Sequence, residues 1–186
     1  MRIISGIYKG MAFKTPQGIR PTEDRVRKAL FDILGDMSGL SFLELFAGSG
    51  SVGLEAFSQN AKRVVFVEKD RNCSRIIEQN LEGIIFKELK EAFAAEVLTA
   101  DAMDAVARLS KQAFKFDVIF ADPPYYKGLP EKVLQSVEEY DILNPNSGFL
   151  VIQHFKKDPL PVRQGNLVLF KQSRYGDSVL SFYNHT

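Results

Sequence analysis

The chain has 186 residues, 45% of them hydrophobic, enough to bury one core of ordinary size, so residues 1–186 read as a single domain with an N-terminal hairpin-and-loop appendage over residues 1–22. Its net charge of +1 averages over a segregation: residues 1–30 carry seven basic and two acidic side chains, residues 151–175 five basic and one acidic, and the remainder carries −8. The lone Cys73 excludes an internal disulfide framework and no apolar run approaches the roughly eighteen residues of a membrane span, so a soluble cytoplasmic protein is expected.

Basic ends around an acidic middle suit a polyanionic partner on one face, although solvated lysines alone produce the same pattern. From Arg2 to Thr15 the residues Ile3, Ile4, Tyr8 and Phe13 alternate loosely around Gly6 and Gly10, which predicts a short hairpin ahead of Pro16-Gln17-Gly18. Thr22 is a candidate N-cap for a helix with Glu23 and Asp24 in its first turn. Val26, Ala29, Leu30, Ile33 and Leu34 then fall on one helical face and Arg25, Arg27 and Lys28 on the other, a basic face that could grip phosphate or be merely solvated.

The stretch from Phe42 to Ala56 runs from an apolar strand, through Glu44 and the close-set Gly48 and Gly50, into a helical pattern at Val52, Leu54 and Ala56. Glycines there let backbone pass close to a ligand beside the free N–H groups of a helix N-terminus, the geometry of a nucleotide-cofactor cradle. Gly48, Gly50 and Gly53 also spell G-x-G-x-x-G, which equally fits a dinucleotide-binding fold. A second apolar strand, Arg63 to Glu68, ends in an acid twenty residues after Gly48, where a carboxylate can accept both ribose hydroxyls. A helix from about Arg71 to Phe86 places Ile76, Ile77, Leu81 and Ile84 on one face, and a third strand, Ala95 to Ala102, has Asp101 at its carboxyl end, followed by a helix containing Met103, Val106, Ala107 and Leu109. Ligands of open α/β sheets bind outside such ends.

A fourth strand, Phe116 to Ala121, runs directly into Asp122-Pro123-Pro124-Tyr125. The two prolines stop the strand and stiffen its exit. Asp122 and the Pro123 carbonyl could accept the two N–H bonds of a planar amino group while Tyr125 stacks on the ring that bears it. Leu129 to Val137 reads as a helix, Gly148 to His154 as a fifth strand, and Asn166 to Gln172 with Ser178 to Tyr183 as an antiparallel pair turned at Tyr175-Gly176-Asp177. His154 is either close to the active site or simply a satisfied polar residue at a strand end.

Glu44 through Gly50 followed, after the fourth strand, by Asp122 to Tyr125 resembles the motif order of the S-adenosylmethionine-dependent amino methyltransferases. Added to these, Arg2-Ile3-Ile4-Ser5-Gly6, Lys9-Gly10, Arg20-Pro21-Thr22, Asp24-Arg25-Val26-Arg27 and Tyr175-Gly176-Asp177 resemble the bacterial small-subunit (16S) ribosomal RNA guanine-N2 methyltransferase family over almost the whole chain. Two departures stand out: Glu44 occupies a position where aspartate is expected, and there is no tryptophan ahead of the glycine motif.

The resemblance implies a Rossmann-like class I methyltransferase fold, α/β with a seven-stranded, mostly parallel sheet and a terminal antiparallel strand. It implies S-adenosyl-L-methionine held by Glu44, Phe46, Gly48, Ser49, Gly50, Glu68, Lys69, Asp101, Ala102 and Asp122. Catalysis would fall to Asp122, Pro123, Pro124 and Tyr125, with no metal. RNA backbone would meet Arg2, Lys9, Arg20, Arg25, Arg27, Lys28 and Arg174, and the substrate would be small-subunit ribosomal RNA, free or in a partly assembled subunit with ribosomal proteins, engaged by a monomer. Three other readings stay open: a DNA adenine-N6 methyltransferase, which shares D-P-P-Y but ordinarily needs added mass to read sequence; a nicotinamide-dependent oxidoreductase, which accounts for the glycines and Glu68 but not for Asp122 to Tyr125; and a nonenzymatic RNA-binding module, for which Asp122 would be dispensable.

Overall fold

Apolar runs such as Val64 to Val67, fully buried on both faces, can only be strands covered on each side, and they set the architecture. The computed structural model describes residues 1–19, 22–85, 94–112, 114–125 and 128–186, which divide into two compact units, Met1–Asp101 and Ala102–Thr186. The expected helical positions Ile84, for its side chain, and Phe86 lie outside the described residues, as does Arg20.

The first unit holds α1 (Asp24–Leu34), β1 (Ser41–Leu45), α2 (Ser51–Ser58), β2 (Arg63–Glu68), α3 (Arg71–Ile85) and β3 (Ala94–Thr99). Its strands are parallel, in the order β3-β2-β1, with Ser41 paired to Arg63 and Arg63 to Ala94 at the starts of the ladders. Helix α1 begins one residue later than Thr22 predicts: Glu23 is its N-cap and makes no side-chain capping bond. Helix α2 is buried at all eight residues.

The N-terminal segment is a single antiparallel bridge, Arg2 with Ala12, rather than a pair of strands. Nor is it a loose appendage, because Ile3, Tyr8 and Phe13 are buried and the Tyr8 ring stacks on Phe57 of α2 at 5.9 Å. The Gly6 backbone lies so near α2 that a Cβ there would fall 2.0 Å from the Ser58 carbonyl oxygen, while Ile7 N–H donates to that same oxygen at 2.8 Å. Glu55 of α2 accepts from Ile4 N–H at 3.0 Å, Ser5 N–H at 2.6 Å and the Ser5 hydroxyl at 2.5 Å. Opposite it stands Arg27 of α1, Nε 3.5 Å from Glu55, with Nη2 donating to the Arg2 carbonyl at 2.7 Å and to Asp24 at 3.1 Å. Both members of the Arg27–Glu55 pair are wholly buried. The expectation that Arg27 touches RNA is therefore corrected: the guanidinium is wholly buried, where Nη2 and Nε tie the first residues of the chain to two helices.

The second unit holds α4 (Ala102–Ser110), β4 (Val118–Ala121), α5 (Leu129–Glu139), β5 (Phe149–Phe155), β6 (Arg163–Gln164), β7 (Leu167–Tyr175) and β8 (Ser178–His185). Strand order is β4-β5-β8-β7-β6, parallel between β4 and β5 and antiparallel thereafter. The two-residue β6 is the eighth strand that the sequence pattern does not announce, being too short to carry a period. His154 on β5 is 2% exposed; its Nε2 is 2.8 Å from the Ser181 hydroxyl and its Nδ1 3.1 Å from the Phe155 carbonyl oxygen. It is a satisfied core histidine, and burial pushes its pKa below the usual 6.5.

Removing one member of a buried ion pair strands the other, at about 3–5 kcal/mol. Arg27→Met should lower the urea unfolding free energy by that amount and make Arg2 and Lys9 sensitive to trypsin; unchanged stability would contradict the anchoring role. The unfolded chain protonates His154 at a higher pH than the folded one does, so its contribution to stability is intact above pH 6.5 and lost as the pH falls below it. His154→Gln should flatten the fall in urea midpoint between pH 6.5 and 5.5, and an unaltered slope would assign that fall to other groups.

Candidate active site

Each unit brings reactive side chains to the carboxyl ends of its parallel strands. In the first, Glu44 at the end of β1 is 3% exposed, and its carboxylate accepts Val52 N–H at 3.3 Å and Gly53 N–H at 2.8 Å, two of the orphan donors at the start of α2. The longer arm of glutamate, the departure noted above, spans this gap. Glu44 thus ties the end of β1 to the start of α2 behind the glycine loop.

Between Glu44 and α2 the backbone takes three left-handed turns, at Phe46 (φ 58°), Gly48 (φ 53°) and Gly50 (φ 70°). For Phe46 that conformation is strained, and such strain concentrates at binding loops. The three glycines of the motif have different jobs. A Cβ on Gly53 would fall 2.3 Å from the Phe66 ring and one on Gly50 3.0 Å from Ile77, so these two permit close packing of α2 and its loop. Among the described residues, a Cβ on Gly48 would meet the Ile19 side chain at 3.4 Å and the Phe46 carbonyl oxygen at 3.9 Å, both ordinary contacts, so Gly48 is the least crowded of the three. Ser49, beside it, is 2% exposed.

Glu68, at the end of β2, accepts Gly48 N–H at 2.8 Å through Oε2 and Asp70 N–H at 2.8 Å through Oε1. Half-exposed, it keeps lone pairs for further donors. Lys69 and Asp101 are exposed beyond the ends of β2 and β3. Ala102 opens α4 and is buried. Cys73 in α3 is inert: burial and the neighbouring Asp70 push its thiol up to about 11.

In the second unit β4 delivers Asp122 directly. Asp122 and Tyr125 are half-buried, Pro123 is buried and Pro124 exposed. The Tyr125 hydroxyl lies 2.8 Å from the Ser178 hydroxyl, and its ring lies 5.7 Å from that of Phe155, tilted by 36°. Phe155 and Ser178 face each other across β5 and β8. Neither was identified from sequence, because their role arises from strand pairing between residues twenty-three positions apart in a turn-rich region. Among the basic candidates, Arg2, Lys9, Arg25, Lys28 and Arg174 are exposed. Arg2 donates to the Gly10 carbonyl at 2.8 Å, Lys28 pairs with Asp32 at 3.1 Å and Arg174 donates to the Gly176 carbonyl at 3.1 Å, bonds that exposed side chains exchange readily for phosphate.

The family described as Conserved hypothetical protein 95 matches residues 1–184 of the chain. YlbH of Bacillus subtilis (strain 168) is 34% identical over 98% of this chain and 98% of its own length. The ribosomal RNA small subunit methyltransferase D of Escherichia coli (strain K12) is 30% identical, covering 98% of this chain and 89% of its own. The solved structure of the Escherichia coli protein yhhF superposes with a TM-score of 0.83 at 29% identity, over 100% of this chain and 97% of that one, which establishes the shared α/β fold. With the family's match running through the docked N-terminal segment, the glycine loop and the Asp122 to Tyr125 segment alike, the chain belongs to the Conserved hypothetical protein 95 family.

Proposed function

We propose that this chain transfers the methyl group of S-adenosylmethionine to the exocyclic N2 of a guanine in small-subunit ribosomal RNA. Relatives 30–32% identical over nearly the whole chain are ribosomal RNA small subunit methyltransferases, which makes this chain a ribosomal RNA methyltransferase and leaves the oxidoreductase and DNA-methylating readings without support. The choice of guanine N2 is the step beyond. It is carried by one observation: Asp122-Pro123-Pro124-Tyr125 leaves β4 with its acid and its ring both half-buried and the ring held by Ser178 and Phe155.

The first unit fits the cofactor. Gly48, the least crowded of the three glycines, leaves room for close approach, and Glu68, oriented by Gly48 and Asp70, can accept the ribose hydroxyls. Phe46, Ser49, Gly50 and Lys69 line the same loop and strand end in sequence, and Asp101 offers an acceptor for a purine edge. The sulfonium of S-adenosylmethionine supplies an activated methyl, so no metal is needed and the protein's task is alignment and exclusion of water.

Guanine N2 is a poor nucleophile because its lone pair is delocalised into the ring. Asp122 and the Pro123 carbonyl accept its two N–H bonds, favour pyramidal nitrogen and aim the lone pair. As the N–C bond forms and the S–C bond breaks, leaving S-adenosylhomocysteine, Asp122 stabilises the positive charge at nitrogen; the surplus proton leaves afterwards, to Asp122 or to water. Tyr125 replaces part of the stacking lost by a base drawn out of its helix, about 1–3 kcal/mol. Arg2, Lys9, Arg25, Lys28 and Arg174, with Arg20, contact RNA backbone. The protein acts in the cytoplasm as a monomeric single domain, and with so little mass for recognition, ribosomal proteins or folded RNA shape supply much of the specificity.

Labelled S-adenosylmethionine offered to small subunits from a strain deleted for this gene should yield N2-methylguanosine. Asp122→Ala should reduce kcat by about 10²–10³, and retained turnover would remove Asp122 from the chemistry. Losing charge-assisted bonds costs about 1.5–3 kcal/mol, so Glu68→Gln should weaken cofactor binding about tenfold or more; unaltered binding would displace Glu68 as the ribose ligand. Assembled subunits should be methylated faster than protein-free RNA, and equal rates would show that RNA alone carries the specificity.

A further inference from the structure

Gln153 takes no part in the steps above. It is 6% exposed, and its Oε1 is buried with no hydrogen-bond partner among the described residues. A buried amide oxygen is ordinarily paired, and an apolar side chain would fill the same place on β5 without stranding a polar atom. Its neighbours on the strand, Leu150, Val151 and Ile152, are indeed apolar and fully buried.

Register gives the residue its context. Ala121 of β4 pairs with Ile152 of β5, so Asp122 and Gln153 take the next positions on adjacent parallel strands. Gln153 opposes Leu180 of β8, and two residues on, Phe155 opposes Ser178. Alternate residues of a strand share a face, so Gln153 lies on the face where Phe155 and Ser178 hold Tyr125. An acceptor lacking a donor therefore stands at the strand end that carries Asp122, on the side of the aromatic ring.

We propose that Gln153 is a base-recognition residue whose Oε1 accepts a hydrogen bond from N1–H of the substrate guanine, an inference that rests on the reaction proposed above. Guanine's Watson–Crick edge presents N1–H next to the N2 amino group, and once Asp122 and the Pro123 carbonyl hold the amino hydrogens, N1–H is the donor left over. Adenine presents a lone pair at the same place, so an acceptor here opposes adenine by leaving two lone pairs face to face. The oxygen is covered in the free protein, and the entering base reaches it by displacing neighbouring side chains.

The test compares wild type, Gln153→Met and Gln153→Glu as full chains acting on small subunits, with kcat, KM, cofactor binding and Tm measured for each. Methionine keeps length and removes the acceptor; glutamate keeps an acceptor at the same reach and, assayed at a pH where it is ionised, has no donor to turn toward the base. Gln153→Met should hold or raise Tm and bind cofactor normally, yet lose about 10- to 100-fold in kcat/KM, while Gln153→Glu stays within a few-fold of wild type. Equal kcat/KM in Gln153→Met and wild type would overturn the role. So would activity falling in step with Tm and not rescued by glutamate, the mark of a structural residue. The reaction itself is read on wild type alone: a product other than N2-methylguanosine would overturn that reading and this inference with it, whereas the expected product from an unimpaired Gln153→Met overturns only the latter.

Discussion

A helix buried at every residue cannot turn its unpaired backbone groups to water, and α2 is such a helix. Its start is met by Glu44, and its end and its own buried Glu55 and Ser58 are met by the N-terminal segment and Arg27. Glu44 takes two N–H groups at the start, Glu55 in the body collects the N-terminal segment and faces Arg27, and Ser58 at the end accepts Ile7 N–H through its carbonyl while its hydroxyl donates to the Ser5 carbonyl at 2.6 Å. Each partner is also a positional constraint. The glycine loop is fixed because β1 and α2 share the Glu44 carboxylate, and the first residues of the chain are fixed because they share Glu55 and Ser58.

Much of this was legible in the sequence, and the part that was not has a clear cause. The alternation of apolar strands and helices, the acids ending β2 and β4 and the glycine loop all follow from local period and turn chemistry. The separate duties of Gly48, Gly50 and Gly53 do not, since they depend on whether Phe66, Ile77 or only ordinary contacts lie opposite. Arg27 was misread for a related reason. Charge was allowed to outweigh position, although Leu30 and Phe31, three and four residues on, place Arg27 on the apolar stripe of α1. An arginine on a stripe needs a buried anion, and Glu55 sits in a helix with no solvent-facing side, so the pair could have been sought as two misfits that answer each other.

The same contrast appears in the second unit. Asp122 to Tyr125 announces itself by composition, but the residues that hold it, Phe155 and Ser178, come from strands that neighbour one another only in the folded sheet. His154, flanking Phe155, went the other way: a residue type associated with catalysis is spent on Ser181 and a backbone carbonyl in the core. The residues proposed to act in this unit stand at strand ends and on the face of Tyr125, and adjacency in sequence is a poor guide to which those are.

The acids at the strand ends are also an electrostatic statement about the substrate. In the roles proposed above, Glu68 and Asp101 in the first unit and Asp122 in the second each meet neutral donors, the hydroxyls of a ribose or the amino group of a base, and each repels phosphate. An RNA strand held by its backbone therefore gains nothing by lying along these ends. The phosphate contacts proposed above fall instead to exposed cations such as Arg2, Lys9 and Arg25, and such contacts weaken as salt rises. With Arg27 withdrawn into the core, this set is smaller than the charge of residues 1–30 suggests, which limits how much affinity backbone contact can provide. The proposed reaction suits that arrangement, since it takes a single base away from its phosphates and recognises it by its hydrogen-bonding edge.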